Sequence, residues 1–372
     1  MKFITNSNDL SKYLDTPIKK NIQIKDISID SRTIKKDSLF IAINGENFNG
    51  NDYVDEAIHK GACLVITDSK KYKTSKNKNI IYVNNSISAL KKITSNILKS
   101  FDGNVVGITG SNGKTTTTKI IANVLSKSSS TLKNYNNEIG MPLSIFNAKQ
   151  NSNNLVIEMG AAKPGDIKYL SSILKPNIGV ITNIGNSHLE KLKNIKGVLK
   201  VKSELVSNIK NGGYLVVPNE NKEHLKFWKK IIRGKELITF GTERNADFYA
   251  INIKSSIKKQ EFNIISDKYN IDHKIKTSLS GVHNIKNILA AFAVSYLIEN
   301  SPKLFNQRLE KSTQVRQKQQ KWIRGSLLID DTYNANPESV KKAIDFLSNS
   351  NKRKVFIIGD MLELGRYRKK MH

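Results

Sequence analysis

Residues Gly107 to Lys119 read GITGSNGKTTTTK, and no other stretch constrains the fold of this 372-residue chain as tightly. The apolar run NVVGIT has the composition of a buried strand, and TTTTKIIANVLSK carries apolar residues at helical spacing. The glycines therefore lie at a strand-to-helix turn. Such a turn aims backbone N–H groups and the positive end of a helix dipole at one point, and Gly110 and Gly113 let the backbone approach a ligand without a Cβ in the way. The chemistry this suits is phosphate binding by Gly110, Ser111, Asn112, Gly113, Lys114, Thr115 and Thr116. Lys114 would reach the β- and γ-phosphates. Thr115 would offer a hydroxyl to the magnesium ion that accompanies them, because Mg²⁺ prefers hard oxygen ligands.

Around this loop the chain alternates strand and helix: NVVGIT, TKIIANVLSK, NLVIEMG, IKYLSSILK, IGVITNIG, then a helix near KGVLKVKSELVSNI. That order predicts a parallel, doubly wound α/β sheet with its ligand beyond the carboxyl ends of the strands. GGYLVVPNEN and LITFG prolong the sheet, and GVHNIKNILAAFAVSYLI follows as a helix with a strong apolar face. The first hundred or so residues hold short strand-like runs, NIQIKDISID, SLFIAI, CLVITD and NIIYV, with one helical stretch near YVDEAIHKGA, and read as a small α/β domain. After a polar, basic stretch, SLLIDDTYNANPESVKKAIDFL and KVFIIGDMLELG restart a strand-helix-strand pattern. One such unit leaves its sheet edge and helix faces uncovered, and RYRKKMH carries no helix-ending signal, so the expectation is a third domain lacking its C-terminal portion. The expected boundaries are 1–98, 99–310 and 311–372.

Composition narrows the class of protein further. The net charge of +29 invites a nucleic-acid reading, but the lysines are scattered among Asn and Ile from end to end and no nucleic-acid module is present. The lone cysteine, Cys63, excludes an intrachain disulfide and fits a reducing cytoplasm. The N-terminus lacks the apolar region of a signal peptide, and no run is long enough to span a bilayer. The expected protein is cytoplasmic and monomeric, with small-molecule partners rather than nucleic acid or membrane.

Topology also selects ligands. Glu158 ends the strand NLVIEMG and His188 follows IGVITNIGNSH, so both should emerge at the same sheet edge as Thr115, near a phosphate-bound metal.

The loop departs from the commonest phosphate-binding pattern, because Ile108 stands where a glycine is usual and the glycines fall at 107 and 110 instead. The form present, G-x-T-G-[ST]-N-G-K-T-T, resembles the Mur ligases and the related folylpolyglutamate synthases, which join an acid to an amine using ATP. The resemblance extends along essentially the whole chain. It implies three domains, the first binding a UDP-sugar, the second ATP, and the third an incomplete Rossmann-like domain. It also implies that Lys202, ahead of the SEL segment, reacts with carbon dioxide to form a carbamate and joins Thr115, Glu158 and His188 around two Mg²⁺ ions, Lys200 being the alternative. GVHNIKNILAA resembles the family's adenine-side signature, with His283, Asn284 and Asn287 on one turn and 283 and 287 on one face. Ser31 and Arg32 match the pair that meets the uridine diphosphate, while Asn51 stands where many members have histidine. Arg316, without the usual preceding glycine, and Asp331 would reach the nucleotide from the linker and third domain.

NNEIGMPLSIF and DDTYNANPESV, with EMGAAKPGDI and GDMLELG, resemble the branch that adds D-alanyl-D-alanine to a UDP-N-acetylmuramoyl tripeptide in peptidoglycan synthesis. They put Asn137, Asn334 and Asn336 on the substrate side. The branch acting one step earlier has D-Y-A-H-T-P where this chain has TYNANP, and folylpolyglutamate synthases lack the first domain. The expected activity is that of an ATP-dependent ligase with Lys114, Glu158, His188 and Lys202 as its catalytic residues. The alternatives are the family's preceding, amino-acid-adding ligase or a truncated nucleotide-binding relative without ligase activity.

Overall fold

The computed structural model describes residues 3–18, 20–45, 48–256, 259–279, 281–310, 318–332, 335–348 and 353–372. It divides into two compact units, Met1–Gly103 with Thr131–Asn153, and Asn104–Ser130 with Asn154–His372.

In the first unit, strands β1 (Asp26–Ser28), β2 (Ser38–Ile41), β3 (Ala62–Thr67) and β4 (Ile80–Tyr82) form a parallel sheet in sequence order. Helices α1 (Ser7–Leu14), α2 (Val54–His59) and α3 (Ser86–Lys99) accompany it. Phe40, Val54, Ala57, Val65 and Tyr72 pack together in its core. The sequence reading recovers the strands and α2 but passes over α1 and α3. Both carry cap signals: Asn6 Oδ1 accepts the N–H of Asn8 and Asp9, and Asn85 Oδ1 accepts that of Ser88 at 2.8 Å. Apolar residues Leu90, Ile93 and Ile97 then fall on the buried face of α3.

The second unit is built on nine strands. The six parallel strands of its centre are β5 (Asn104–Thr109), β6 (Ser128–Ser130), β7 (Asn154–Glu158), β8 (Ile178–Ile181), β9 (Tyr214–Pro218) and β10 (Glu236–Gly241). Strand β11 (Phe248–Ser255) continues them in parallel, and β12 (Gln260–Ser266) and β13 (Ile271–Thr277) fold back antiparallel, giving the order β13-β12-β11-β10-β9-β8-β5-β7-β6. Helix α4 (Lys114–Val124) follows β5, and α5 (Gly140–Phe146) lies in the 131–153 part of the first unit. Next come α6 (Asp166–Leu174), α7 (Leu189–Leu192), α8 (Ile195–Ser203), α9 (Lys222–Ile231), α10 (Val282–Glu299) and α11 (Pro302–Leu309).

The connection from β5 leads to β6 beyond β7, whereas β8 pairs on the other side of β5, so the chain reverses direction across β5 and opens a crevice at its carboxyl end. The doubly wound, mostly parallel sheet is the expected one. The antiparallel β11–β13 meander is not, although β12 alternates strictly between buried and partly exposed residues, the period-two sign of a half-covered strand.

Helix α10 packs on α4 and against β9, β10 and β11. It is buried nearly all round; Ile285, Ile288, Leu289, Phe292 and Val294 each contribute about 1.5–3 kcal/mol by burial. This packing holds the α10 N-terminus beside the start of α4.

The last segment contains β14 (Lys318–Lys321) paired antiparallel with β15 (Leu327–Asp330), helix α12 (Pro337–Ser348) and the short α13 (Arg368–Met371). The strand expected over KVFIIGD does not form. Val355, Phe356, Ile357 and Ile358 are exposed there, and an apolar run becomes a strand only where a neighbouring edge accepts its backbone hydrogen bonds.

Candidate active site

The phosphate loop is shaped by the segment after β8. Asn112 N–H donates to Asn183 Oδ1 at 2.8 Å, Thr182 Oγ1 donates to Asn112 O at 2.5 Å, and Ser111 Oγ donates to Gly185 O while accepting from Gly185 N–H, both at 2.9 Å. Gly110 has φ +148°, and a Cβ there would collide with Thr182 Oγ1; Gly113 has φ +79°, and a Cβ there would stand 2.5 Å from Asn287 Oδ1. Gly110→Ala is therefore expected to weaken ADP binding by at least about tenfold, measured by calorimetric titration, since strained backbone costs roughly 1–3 kcal/mol. Wild-type affinity would mean that the loop does not need this shape.

Lys114 folds back along the loop, with Nζ donating to Gly110 O at 3.0 Å and Ser111 O at 3.4 Å. Thr115 Oγ1 donates to Glu158 Oε2 at 2.8 Å, and Glu158 is only 3% exposed at the end of β7. The hydroxyl and carboxylate expected to share a metal are thus in direct contact.

A cavity of about 340 Å³ runs from this loop to α10. Its walls include Asn112, Gly113, Thr115 and Thr116 on the phosphate side, His283, Asn284 and Asn287 on the α10 side, and Asp331 from the last segment. Asn287 also accepts from Thr117 Oγ1 at 3.2 Å and donates to Asn284 Oδ1 at 3.2 Å, so the signature on α10 is tied to α4. Burial, with Lys342 nearby, lowers the His283 pKa to about 4. Its ring is neutral near pH 7, with one donor and one acceptor nitrogen available for a heterocycle. The sequence does not single out Thr182, Asn183, Glu220, Lys286, Glu338 or Lys342, which also line the cavity. Lys286 and Glu220 pair at 2.6 Å, and burial lowers the Lys342 pKa. Thr182 and Asn183 could have been suspected from their place at the end of β8; the others come from elements whose approach is not local.

Lys202 is 1% exposed on α8, with Nζ 3.5 Å from Ala161 O, whereas Lys200 is exposed. Burial, then the positive charge of Lys114, brings the Lys202 pKa down to about 7, against the pull of Asp166, Glu204 and Glu158. His188 sits in the left-handed region at φ 52°, with Nδ1 2.6 Å from Glu363 Oε2. Burial lowers its pKa first; Glu363 opposes this, while Lys202 and Lys114 add to it. These electrostatic couplings gather Lys114, Glu158, His188 and Lys202 at one edge of the sheet. Among the described residues, no three His, Cys, Asp or Glu side chains cluster to hold a metal by themselves.

Asn336, expected on the substrate side, lies against the phosphate loop: its Nδ2 donates to Asn112 Oδ1 at 2.7 Å. Glu338 Oε1 accepts the N–H of Asn186 at 3.0 Å and its Oε2 accepts from Asn112 Nδ2 at 3.4 Å. Arg316 and Asn334 lie outside the described residues.

In the first unit Ser31 is buried and Arg32 exposed, its guanidinium gripped by Asp30 through Nε at 2.9 Å and Nη2 at 2.8 Å. The hydrogen bond from Arg32 holds the Asp30 carboxyl below its usual range. Asn51 is turned inward, donating to Asp68 Oδ1 at 2.8 Å and accepting from Thr67 Oγ1 at 2.6 Å. Asn137 Oδ1 accepts the N–H of Gly140 at 2.8 Å at the start of α5.

Three family descriptions match the chain: "Mur ligase family, catalytic domain" over residues 23–99, "Mur ligase middle domain" over 108–295 and "Mur ligase, glutamate ligase domain" over 313–372. The chain is 35% identical to the UDP-N-acetylmuramoyl-tripeptide--D-alanyl-D-alanine ligase of Buchnera aphidicola subsp. Baizongia pistaciae, over 93% of its own length and 75% of that protein. With the enzyme of the same name from Bacillus subtilis it shares 30% identity over 96% of its length and 78% of that protein. Among solved structures, MurF from Acinetobacter baumannii matches with a TM-score of 0.87 at 25% identity, covering 97% of this chain and 80% of that one. MurF ligase from Thermotoga maritima in complex with ADP matches with a TM-score of 0.81 at 29% identity, covering 93% and 80%.

Proposed function

Because this chain belongs to the Mur ligase family, we propose that it is an ATP-dependent ligase joining D-alanyl-D-alanine to a UDP-N-acetylmuramoyl tripeptide, a step of peptidoglycan precursor synthesis. The single observation that carries the reading is the cavity linking the phosphate loop to His283 with Asp331 on its wall, a shape suited to a nucleoside triphosphate. The three-part division at 1–98, 99–310 and 311–372, with sugar nucleotide, ATP and closing roles, belongs to the same proposal.

A carboxylate is a poor electrophile. Its oxygen attacks the γ-phosphorus of ATP, ADP leaves, and the resulting acyl phosphate is attacked at carbon by the amine of D-alanyl-D-alanine. Phosphate departs and the nitrogen gives up a proton. The protein's work is positioning and charge neutralisation. The loop N–H groups and Lys114 cradle the phosphates, His283, Asn284 and Asn287 receive the adenine side, and Asp331 approaches from the last segment. Arg316 belongs to the same nucleotide set by resemblance. Ser31 and Arg32 would hold the sugar diphosphate; Asn137, Asn334 and Asn336 are assigned to the tripeptide side.

The donor set fits Mg²⁺: Thr115 and Glu158 offer hard oxygens in contact, and Lys202 is buried with a pKa brought down to about 7, so a large share of its amine is free near neutral pH to take up carbon dioxide. Thr115, Glu158, His188 and carbamylated Lys202 would hold the ions. Bound there, Mg²⁺ would neutralise charge on the phosphates.

Among the described residues no helix is long and apolar enough to cross a membrane. The reading adds a cytoplasmic, monomeric enzyme.

Mass spectrometry of a reaction containing ATP, Mg²⁺, the UDP-linked tripeptide and D-alanyl-D-alanine is expected to detect the UDP-linked pentapeptide only when all four are supplied. Product from a single amino acid in place of the dipeptide would assign the chain to the preceding step. No product from any acceptor, with ATP still bound, would leave a nucleotide-binding relative without ligase activity.

A further inference from the structure

The contact between His188 and Glu363 joins the β8 side of the site to the last segment of the chain, and it is assembled with care. Both residues are non-glycine positions in the left-handed region, at φ 52° and φ 61°. Side chains rarely adopt that conformation unless the surroundings impose it. The surroundings here are specific. Met361 and Leu364 on either side of Glu363 are buried to 3% exposure, Glu363 O accepts the N–H of Glu190 at 3.1 Å, and Gly365, at φ 51°, brings its backbone against Glu190 Cα. The loop is thus docked on α7, the helix that His188 begins. Its carboxylate reaches back to His188 Nδ1 at 2.6 Å while remaining half exposed, so the docking does not depend on burial of that side chain.

Nδ1 is buried and meets no well-aligned acceptor in this conformation, yet Glu363 Oε2 stands 2.6 Å from it, and an ionised carboxylate in that place can only accept, so a small turn of the ring makes Nδ1–H the donor. A proton drawn to Nδ1 in this way would leave the lone pair of a neutral imidazole on Nε2. This is how a partner outside the coordination shell fixes the tautomer and direction of a metal-binding histidine. We propose that Glu363 is a positioning residue that sets the tautomer of His188 for the metal ion, so that docking of the 361–365 loop and metal binding favour one another. The proposal rests on the reading of His188 as a ligand. Because the coupling is reciprocal, whatever dislodges the loop loosens the ion, and the ion and nucleotide in turn hold the loop.

Two readouts test it, both independent of turnover. The chain has six histidines, so selective ¹⁵N labelling with His188→Ala as the assignment control isolates the His188 ring signals. In the wild type these should report the Nδ1–H tautomer. Glu363→Ala should move the ring toward the other tautomer, whereas Glu363→Gln, which keeps an acceptor oxygen, should retain it. Binding of Mn²⁺ with ADP, followed by electron paramagnetic resonance, should weaken about tenfold in Glu363→Ala and recover in large part in Glu363→Gln; the effect is at the low end for such partners because phosphate oxygens supply much of the shell. An unchanged tautomer in Glu363→Ala overturns the proposal. So does unchanged Mn²⁺ affinity in Glu363→Ala when His188→Ala weakens it, and that pair of results leaves the ligand reading standing. Unchanged affinity in His188→Ala removes His188 from the metal site and overturns both.

Discussion

Lys114→Ala is expected to lower ligase turnover by about 10²–10³-fold or more while leaving the thermal midpoint and far-ultraviolet spectrum unchanged. The size follows from the role proposed for the ammonium, a preorganised positive charge for phosphoryl oxygens, since removing one such donor costs a factor of that order. The fold should tolerate the change because the side chain is partly exposed and its Nζ donates to carbonyls of the loop itself, Gly110 O and Ser111 O. Steady-state release of phosphate and of the UDP-linked pentapeptide measures it. Turnover within a few-fold of wild type would sink the phosphate-loop assignment, whereas collapse of the thermal midpoint would mean that Lys114 is structural.

Lys202→Ala should cost a comparable factor of about 10²–10³, and short carboxylates such as acetate or formate should restore part of it by standing in for a carbamate. Equal failure with and without them would count against carbamylation. The chemistry needs the free amine. A pKa of about 7 in place of 10.5 raises the neutral fraction at pH 7 by roughly 1,600-fold over an ordinary lysine, so this buried position is suited to the reaction and exposed Lys200 is not. Lys200→Ala should accordingly retain activity.

The same shift fixes a sign for stability. The folded pKa lies below the unfolded one, so without carbon dioxide the protonated amine penalises the fold fully below pH 7, and the penalty fades between about 7 and 10.5. Lys202→Met should therefore be more resistant to urea than the wild type at pH 6 and should lose that advantage by pH 10.5. A pH-independent difference would refute the burial of a titrating amine.

Much of the site was legible because its parts are local. The strand, glycine turn and helix from Asn104 to Val124 form one continuous stretch, and the period of apolar residues on either side announces them. Glu158 and His188 were legible from topology, since parallel strands put their carboxyl ends at one edge. The α10 signature and Lys202 came from resemblance alone, because a helix-surface lysine and a buried one look the same in a sequence. The capping asparagines before α1 and α3 were present and unread. The meander from β11 to β13 was also unread, despite the alternation in β12, because its strands follow the expected end of the parallel sheet. KVFIIGD read as a strand on apolar content, which measures a wish for burial and cannot supply a partner edge.

By itself the sequence determined the α/β alternation, the glycine loop with its lysine and threonine, and the order in which the candidate ligands appear along the strands, because backbone sterics, helix periodicity and strand pairing act over a few residues. Only the tertiary structure decided which lysine of α8 is sealed from water, that Thr182 and Asn183 mould the loop, that Asn51 turns inward and that Asn336 and Glu338 meet Asn112. It alone brought Glu363 to His188 across 175 positions of chain. Burial and charge coupling depend on what folds over a residue, and the groups that do so here come from elements far away in the chain.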